Sequence, residues 1–348
     1  MRTPIINITI PVFNRPALTL KTILAVRKHT LLPHILTVVD NGSEKETQNL
    51  LINLKKQNLI DHLFRLKKNY GISVAANVGW RAVPAPLYMK LDNDIVIHSK
   101  EWLPFVLAQM AKRERDAVWG ADLNGQMDKP EFVRNPQGLI GQCFTHISGG
   151  AIIIPRSIAK FAGYWCEDYG LYGVEDGDYG TRLGILLIEQ FYFSHKLFMS
   201  HCGHDGEELK DQHSLDKNRE KRINLALFQA NYFLYTQGHR PLNLPPVHIP
   251  LNYDGYELTM EYNGAYKEIY NKFMDFYKTI TTDPQSAQKG ASAVDELISS
   301  QNKLWEAALQ TGEDAYAGLR RQLFGRPAST AKIRNCIKEK KEPSLERY

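Results

Sequence analysis

Cysteine is scarce and scattered in this chain: four among 348 residues, Cys143, Cys166, Cys202 and Cys336, with no Cys-x-x-Cys pair. That spacing argues against a zinc knuckle or a disulfide framework and fits reduced thiols in a cytoplasm-like compartment. Long apolar runs are missing too. None approaches the roughly 20 residues that a membrane helix needs. The first seven residues, Met1 to Asn7, lead straight into a strand-like segment without the charged head, apolar stretch and small-residue cleavage site of a secretory leader. A cytoplasmic protein is expected, with peripheral attachment to a membrane left open. Charge of one sign is also weak: a net +5 could help attract phosphates, nucleic acid or acidic lipid, but is too small to choose among them. No internal repeat and no low-complexity tract is found.

What is present is the composition of an ordinary globular protein, 43% hydrophobic and 23% charged, long enough for one large catalytic domain and an appendage. Four short apolar runs occupy the first half: Ile5 to Phe13, Ile35 to Asp40, Leu87 to Leu91 and Ala117 to Ala121. Between the first three lie segments with helical spacing, Ala17 to Lys28, Lys45 to Gln57 and Ser73 to Val83. Strands alternating with helices predict a parallel sheet covered on both faces, with ligands beyond the carboxyl ends of the strands. Polar clusters sit at those ends: Pro11 to Arg15, Asp40 to Ser43, and Asp92-Asn93-Asp94.

A second block, His146 to Asp205, holds a strand-like Gly149 to Ile154, an acidic glycine-rich turn from Tyr172 to Asp178, and an apolar run, Phe191 to Met199, leading to His201. Leu215 to Gln237 reads as helix, and Pro241, Pro245, Pro246 and Pro250 then break the chain. The expected division is a catalytic domain over residues 1–240 and a mainly helical extension of unassigned role over 241–348. The extension ends in a basic tail around Lys332 to Lys341.

The aspartates of Asp92-Asn93-Asp94 follow an apolar strand, where carboxylates can meet solvent and share a hard divalent cation with a substrate diphosphate. A helix cap or solvated turn is the plainer alternative. Asp40 can accept hydrogen bonds from a base N–H or a ribose hydroxyl, or simply serve the turn that Asp40-Asn41-Gly42-Ser43 encodes. Glu175 and Asp176 are candidates for proton transfer from an acceptor hydroxyl, with a solvated acidic loop as the alternative. The rings of Tyr164, Trp165, Tyr169, Tyr172 and Tyr179 nearby could pack on sugar faces or belong to the core. His201 or His204 could complete a metal site begun by carboxylates.

Taken in order, Pro11-Val12-Phe13-Asn14, Val39 to Ser43, Asn69-Tyr70-Gly71 with Asn77, Lys90 to Asp94, Gly149-Gly150, Glu175-Asp176 and His201 form a set that resembles family 2 glycosyltransferases of the GT-A fold. The resemblance covers roughly residues 1–205 and leaves the last third unmatched. It implies a Rossmann-like, mostly parallel sheet flanked by helices. It also implies an inverting, metal-dependent transfer from a nucleoside-diphosphate sugar, UDP-linked by preference, to an acceptor hydroxyl in glycan or surface polysaccharide synthesis. By the same resemblance Asp40 reads the base within a pocket of Pro11 and Phe13. Asn14, Gly71, Asn77 and Asn93 border the donor, and Gly149 and Gly150 turn against its sugar. Asp94 is the direct ligand of Mn²⁺ or Mg²⁺, Asp92 leans toward the ribose or sugar, and His201, or His204 in its place, completes the metal site. Asp176 is the general base and Glu175 orients the acceptor. The segment from Trp165 to Arg182 also resembles the acceptor segment of β-1,4-galactosyltransferases, but Tyr172 and Val174 stand where that motif has tryptophan and glycine, so acceptor identity does not transfer.

The alternatives are an acceptor that is a modified nucleic acid base or a protein, a homologue that binds nucleotide sugars without catalysis, and a nucleotidyltransferase. The last would want a basic glycine-rich loop near the amino terminus, which Pro11 to Pro16 is not. Oligomeric state is not readable.

Overall fold

A computed structural model describes residues 4–129, 133–203, 217–282 and 291–325. His204, Cys336 and the basic tail lie outside the described residues. The chain is α/β, with a mostly parallel sheet, covering helices and a helical carboxyl-terminal region, as expected of a GT-A architecture.

Four of the expected strands form within a residue or two of their expected ends: β1 (Ile6–Val12), β2 (His34–Asp40), β4 (Leu87–Leu91) and β6 (Val118–Ala121). The connecting helices are α1 (Pro16–His29), α2 (Lys45–Lys56) and α3 (Ile72–Ala82). Proline opens α1, where its missing N–H is no loss, and Arg27, Lys28 and His29 fill the last turn, where cations meet the negative end of the helix. A strand that the sequence pattern had not suggested, β3 (His62–Leu66), pairs parallel with β2. Its five residues, with His62 and Arg65 among the apolar ones, are too short and interrupted to read as a buried run.

Among the described residues the main sheet, which also takes in β7 (Ile140–Cys143), β8 (Ala151–Pro155), β9 (Gln190–Phe193), β11 (His248–Tyr253) and β12 (Glu257–Tyr262), has ten strands in the order β11-β12-β3-β2-β1-β4-β8-β6-β9-β7. Parallel pairing runs from β12 to β4; β8 (Ala151–Pro155) is antiparallel to both β4 and β6. The apolar run from Phe191 splits into two strands, β9 (Gln190–Phe193) and β10 (Met199–His201), with a short helical turn between. Strand β10 leaves the main sheet and pairs antiparallel with β5 (Ile95–Ile97).

Both faces are covered. Ile6, Ile8, Ile10 and Val12 point with Leu36 and Val38 into a core shared with Ile23 and Val26 of α1 and Leu51 and Leu54 of α2. On the opposite face Val39 and Phe64 pack with Val74, Ala75 and Val78 of α3. The buried Asn7 side chain of β1 is satisfied: it donates to Gly79 O and Val83 O at 3.1 and 2.8 Å, fastening α3 to the sheet, and accepts from Thr37 Oγ1 at 2.8 Å.

Past the prolines, β11 (His248–Tyr253) and β12 (Glu257–Tyr262) make a hairpin whose second strand joins β3, so this segment extends the same sheet. Helices α4 (Trp102–Met110), α5 (Arg156–Ala162), α6 (Glu175–Ile185), α7 (Lys217–Thr236), α8 (Gly264–Thr282) and α9 (Ala291–Phe324) complete the α-helices among the described residues. No helix among the described residues is long and apolar enough to cross a membrane.

Candidate functional site

At the end of β1 the chain turns through two consecutive residues with left-handed backbone, Asn14 at φ 55° and Arg15 at φ 60°. Such torsions cost about 1 kcal/mol or more each outside glycine, so the surroundings must hold them. They do: the Asn14 N–H donates to Ser43 Oγ at 2.9 Å, and Asn14 Oδ1 accepts the Glu44 N–H at 2.8 Å. This knot joins the ends of β1 and β2 and sends the Arg15 guanidinium to Asp94 Oδ2, 2.7 Å away.

The second turn is closed by Asp40, whose Oδ1 accepts the Ser43 N–H at 2.9 Å. Its side chain is fully buried, Oδ2 lies 3.7 Å from Arg65 Nε, and burial raises its pKa. Asn41, the next residue, reaches the cavity and holds the loop after β3 by accepting the Tyr70 N–H at 2.9 Å and donating to Gly71 O at 3.0 Å. Gly71 has φ 95°, and a Cβ there would lie 1.9 Å from Gly170 O. Glycine therefore lets this loop rest directly on the segment that leads to the acidic turn.

Strand β4 delivers Lys90, Asp92, Asn93 and Asp94. The buried Lys90 ammonium donates to Asp92 Oδ1 and Gly149 O, both at 2.6 Å, linking β4 to the turn before β8. Asn93 faces α1, donating to Thr19 Oγ1 at 2.9 Å while its carbonyl accepts from Thr22 Oγ1 at 3.0 Å. That anchoring turns the aspartates on either side outward. His201 arrives from 107 residues later because β10 pairs with β5 in a register that sets His201 opposite Ile95, and its Nε2 lies 3.3 Å from Asp94 Oδ1. Gly203 follows, where a Cβ would come within 2.2 Å of Asp94 Oδ2. Burial pushes the Asp94 pKa up, but the imidazole of His201 and the guanidinium of Arg15 outweigh it, and the carboxyl is pulled down to about 2. The Asp94 carboxylate in turn raises the pKa of His201.

Helix α6 opens at Val174, again left-handed at φ 74°, and presents Glu175 and Asp176 in its first turn. Asp176 is fixed by two backbone donors, Gly149 N–H to Oδ2 at 3.2 Å and Gly177 N–H to Oδ1 at 2.8 Å. Burial, then the neighbouring charge of Asp176, raises the Glu175 pKa to about 7.

One cavity of about 1410 Å³ takes in most of these groups: Pro11, Phe13, Asp92, Asn93, Asp94, Gly149, Gly150, Glu175, Asp176 and His201 all line it. Asn14, Asp40, Gly71 and Asn77 do not line it; the first three build the turns behind it. Asn77 is fully buried on α3, donating to Trp165 O and Glu167 Oε1 at 2.9 and 2.8 Å and accepting the Trp165 N–H at 2.9 Å. His204 lies outside the described residues. Arg15, Lys90 and Asn41 fall within the strand-end clusters of the sequence but are given no role there. Lys90 carried a usable signal, a lone cation inside an apolar strand two residues before an aspartate, since buried lysines are rare unless paired. Arg15 carried none, because its role depends on a backbone twist.

Residues 7–170, just under half of the chain, match the family described as Glycosyl transferase family 2. A validoxylamine A glucosyltransferase of Streptomyces hygroscopicus subsp. limoneus is 30% identical over 110 residues, 31% of this chain and 24% of that enzyme. The chain thus spans about a quarter of the length of that relative. Among solved structures, S. aureus TarS 1–349 aligns at 18% identity with a TM-score of 0.46, covering 67% of this chain and 73% of that one. The mannosyltransferase PcManGT from Pyrobaculum calidifontis, in complex with GDP-Man and Mn²⁺, aligns at 13% identity with a TM-score of 0.47, over 94% of this chain and 89% of that one. Both TM-scores stay below 0.5.

Proposed function

We propose, with the family 2 match of residues 7–170 as premise, that this protein transfers a sugar from a nucleoside diphosphate, UDP by preference, to a glycan hydroxyl with inversion at the anomeric carbon. The observation that carries the reading is the meeting in one cavity of a paired aspartate cluster, Lys90–Asp92 and Arg15–Asp94–His201, with the acidic turn Glu175–Asp176.

In this reading Pro11, Phe13 and Asn41 border the nucleoside, with Asp40 shaping the turn beneath, and Asp92 lies toward the donor's sugars. Asp176 takes the proton of the acceptor hydroxyl while its oxygen bonds to the anomeric carbon. The bond from that carbon to the diphosphate oxygen breaks, and the nucleoside diphosphate leaves with the electron pair. Arg15 is placed to meet the charge that develops there. Glu175 stands beside the acceptor hydroxyl and orients it.

Among the described residues no group of three or more His, Cys, Asp or Glu side chains could hold a metal on its own. The pair of Asp94 and His201 still fits a divalent ion whose remaining ligands come from a diphosphate, since Mg²⁺ and its like commonly use one or two protein carboxylates. Oδ1 of Asp94 is buried without a well-aligned hydrogen bond and faces His201, as such a ligand would. When bound, Mn²⁺ or Mg²⁺ would neutralise charge on the departing diphosphate.

The test is incubation with Mn²⁺ and a panel of UDP- and GDP-sugars, following nucleoside diphosphate release. Release with at least one donor, lost in Asp176→Asn, supports transfer. Neither release nor binding of any donor would remove the enzyme reading, and pyrophosphate from a nucleoside triphosphate would replace it with nucleotidyl transfer.

A further inference from the structure

A second cavity, of about 340 Å³, opens at the far end of helix α3 from the first. Ile72 at the start of α3 lines the first cavity and Arg81 near its end lines the second, about 14 Å along the helix. The two share no lining residue. Three helices meet at the second cavity. Arg81 comes from α3, Arg156 and Lys160 from one face of α5 a turn apart, and Glu313 and Arg320 from α9. Four cations therefore face one carboxylate. The uncharged polar lining, Tyr88, Tyr164 and Asn243, adds groups that can donate hydrogen bonds.

The charge is not well met from within the chain. The Arg81 side chain is only 2% exposed, yet its contacts are long: Nη1 to Glu313 Oε1 at 3.5 Å and Nη2 to Leu244 O at 3.4 Å. Its Nε is buried and has no hydrogen-bond partner among the described residues. Tyr164, whose ring centre lies 3.9 Å from the guanidinium carbon, holds the group in place but offers it no acceptor there. Glu313 is 52% exposed and is shared with Arg320 at 3.7 Å. Arg320 in turn is anchored by donating to Arg81 O at 2.7 Å. Among the described residues Glu313 is the one carboxylate that pairs with any of the four cations. Buried charges are ordinarily closely paired, and contacts of 3.4 to 3.5 Å stand at the outer limit of a hydrogen bond. An anion in the cavity would supply the missing acceptors.

We propose that this cavity binds the phosphate group of a small anionic ligand, with Arg81 and Arg320 on its buried side and Arg156 and Lys160 at its exposed rim. A phosphate group carries up to two charges and accepts through three oxygens, which suits several convergent cations better than the single charge and two oxygens of a carboxylate. A nucleic acid strand would want its cations spread along an extended face, whereas these converge on a pocket. Helices α3 and α5 lie within residues 7–170 and α9 lies beyond the prolines, so an occupied site ties the carboxyl-terminal region to the family-matched part of the chain. None of this depends on sugar transfer.

The experiment uses the full chain in the presence of a chelator and at physiological ionic strength. Binding of inorganic phosphate and of pyrophosphate is measured by calorimetry, beside melting temperature, with malonate as the carboxylate control. At least one of the two phosphates is expected to bind and to raise the melting temperature. Arg156→Gln and Lys160→Glu, both at exposed positions and expected to melt like the parent without anion, should each weaken that binding about tenfold. Arg15→Gln, in the first cavity, should change it less than threefold. Absence of binding by the parent, binding that survives both rim substitutions, or binding lost in Arg15→Gln overturns the proposal. Malonate bound as tightly as phosphate also overturns it, in favour of a carboxylate ligand.

Discussion

Two acidic residues side by side differ because of what surrounds them. Asp176 has two backbone N–H donors, while burial and the charge of Asp176 lift Glu175 to about 7. Below that pH Glu175 is neutral; above it, in the proposed reaction, a second carboxylate would accept from the acceptor hydroxyl and orient it toward Asp176. Transfer is therefore expected to rise as pH passes about 7. Glu175→Gln, neutral throughout, should stay near the low-pH rate of the parent, and Asp176→Asn should lose at least about a hundredfold at every pH. Initial rates across neutrality, with kcat and acceptor KM separated, check both. Asp94 gives a stability prediction with its sign fixed by a depressed pKa. Its pairing with Arg15 and His201 stabilises the fold above the unfolded carboxyl's value near 4 and is lost as pH falls through about 2. The drop from 3.8 to about 2 corresponds to roughly 2 kcal/mol. In the absence of metal, Asp94→Asn should show that deficit in urea unfolding at neutral pH and little of it in strong acid. The Asp-x-Asp pattern and the acidic turn were legible as chemistry in the sequence. That Arg15 neutralises Asp94 was not, since the two lie 79 residues apart and meet through a left-handed turn, whereas Lys90 stands only two residues from Asp92.

Elements explain which predicted residues touch the cavity and which support it. The alternation of β1, β2 and β4 with α1 and α3 was readable because buried parallel strands are short apolar runs flanked by helical spacing. The union of β5 with β10 was not readable: each has three residues, and only their antiparallel register brings His201 to Asp94. Asn77 illustrates the limit of motif position. Its side chain binds the Trp165–Glu167 stretch with three hydrogen bonds across about ninety residues of sequence, a clamp between α3 and the segment before the acidic turn. Asn77→Ala leaves the Trp165 N–H and carbonyl and one Glu167 oxygen without that partner inside the core, at a cost of about 1–3 kcal/mol or more. A lower melting temperature with donor affinity changed less than threefold is expected; a loss of donor affinity at unchanged stability would place Asn77 against the donor instead.

At the scale of the whole molecule, the prolines after residue 240 mark a change in composition across which the packing continues. Glu167 gives one oxygen to Asn77, and the other accepts the Val247 and His248 N–H groups at 3.0 and 2.8 Å. Arg240 is buried against Asp168 at 2.7 Å and also donates to Tyr266. Cys166 and Tyr169 share a core with Leu234, Leu244, Val247, Tyr266, Phe273 and Trp305. The loop that carries the acidic turn is thus packed from behind by residues that lie far beyond it in sequence. No local pattern announces this, because aromatic residues on the later helices read equally well as a separate bundle. Two consequences separate a supporting role from a detachable one. Trp305→Ala, opening a cavity in that shared core, should cost about 3–5 kcal/mol and reduce transfer at temperatures where the parent is fully active. A chain ending at residue 240 should aggregate or lose its near-ultraviolet circular dichroism, since cutting there exposes Leu234 and Tyr235 and strips Glu167 of two donors. A truncated chain that stayed monomeric, melted cooperatively and still bound a nucleotide sugar would show instead that the first 240 residues fold alone.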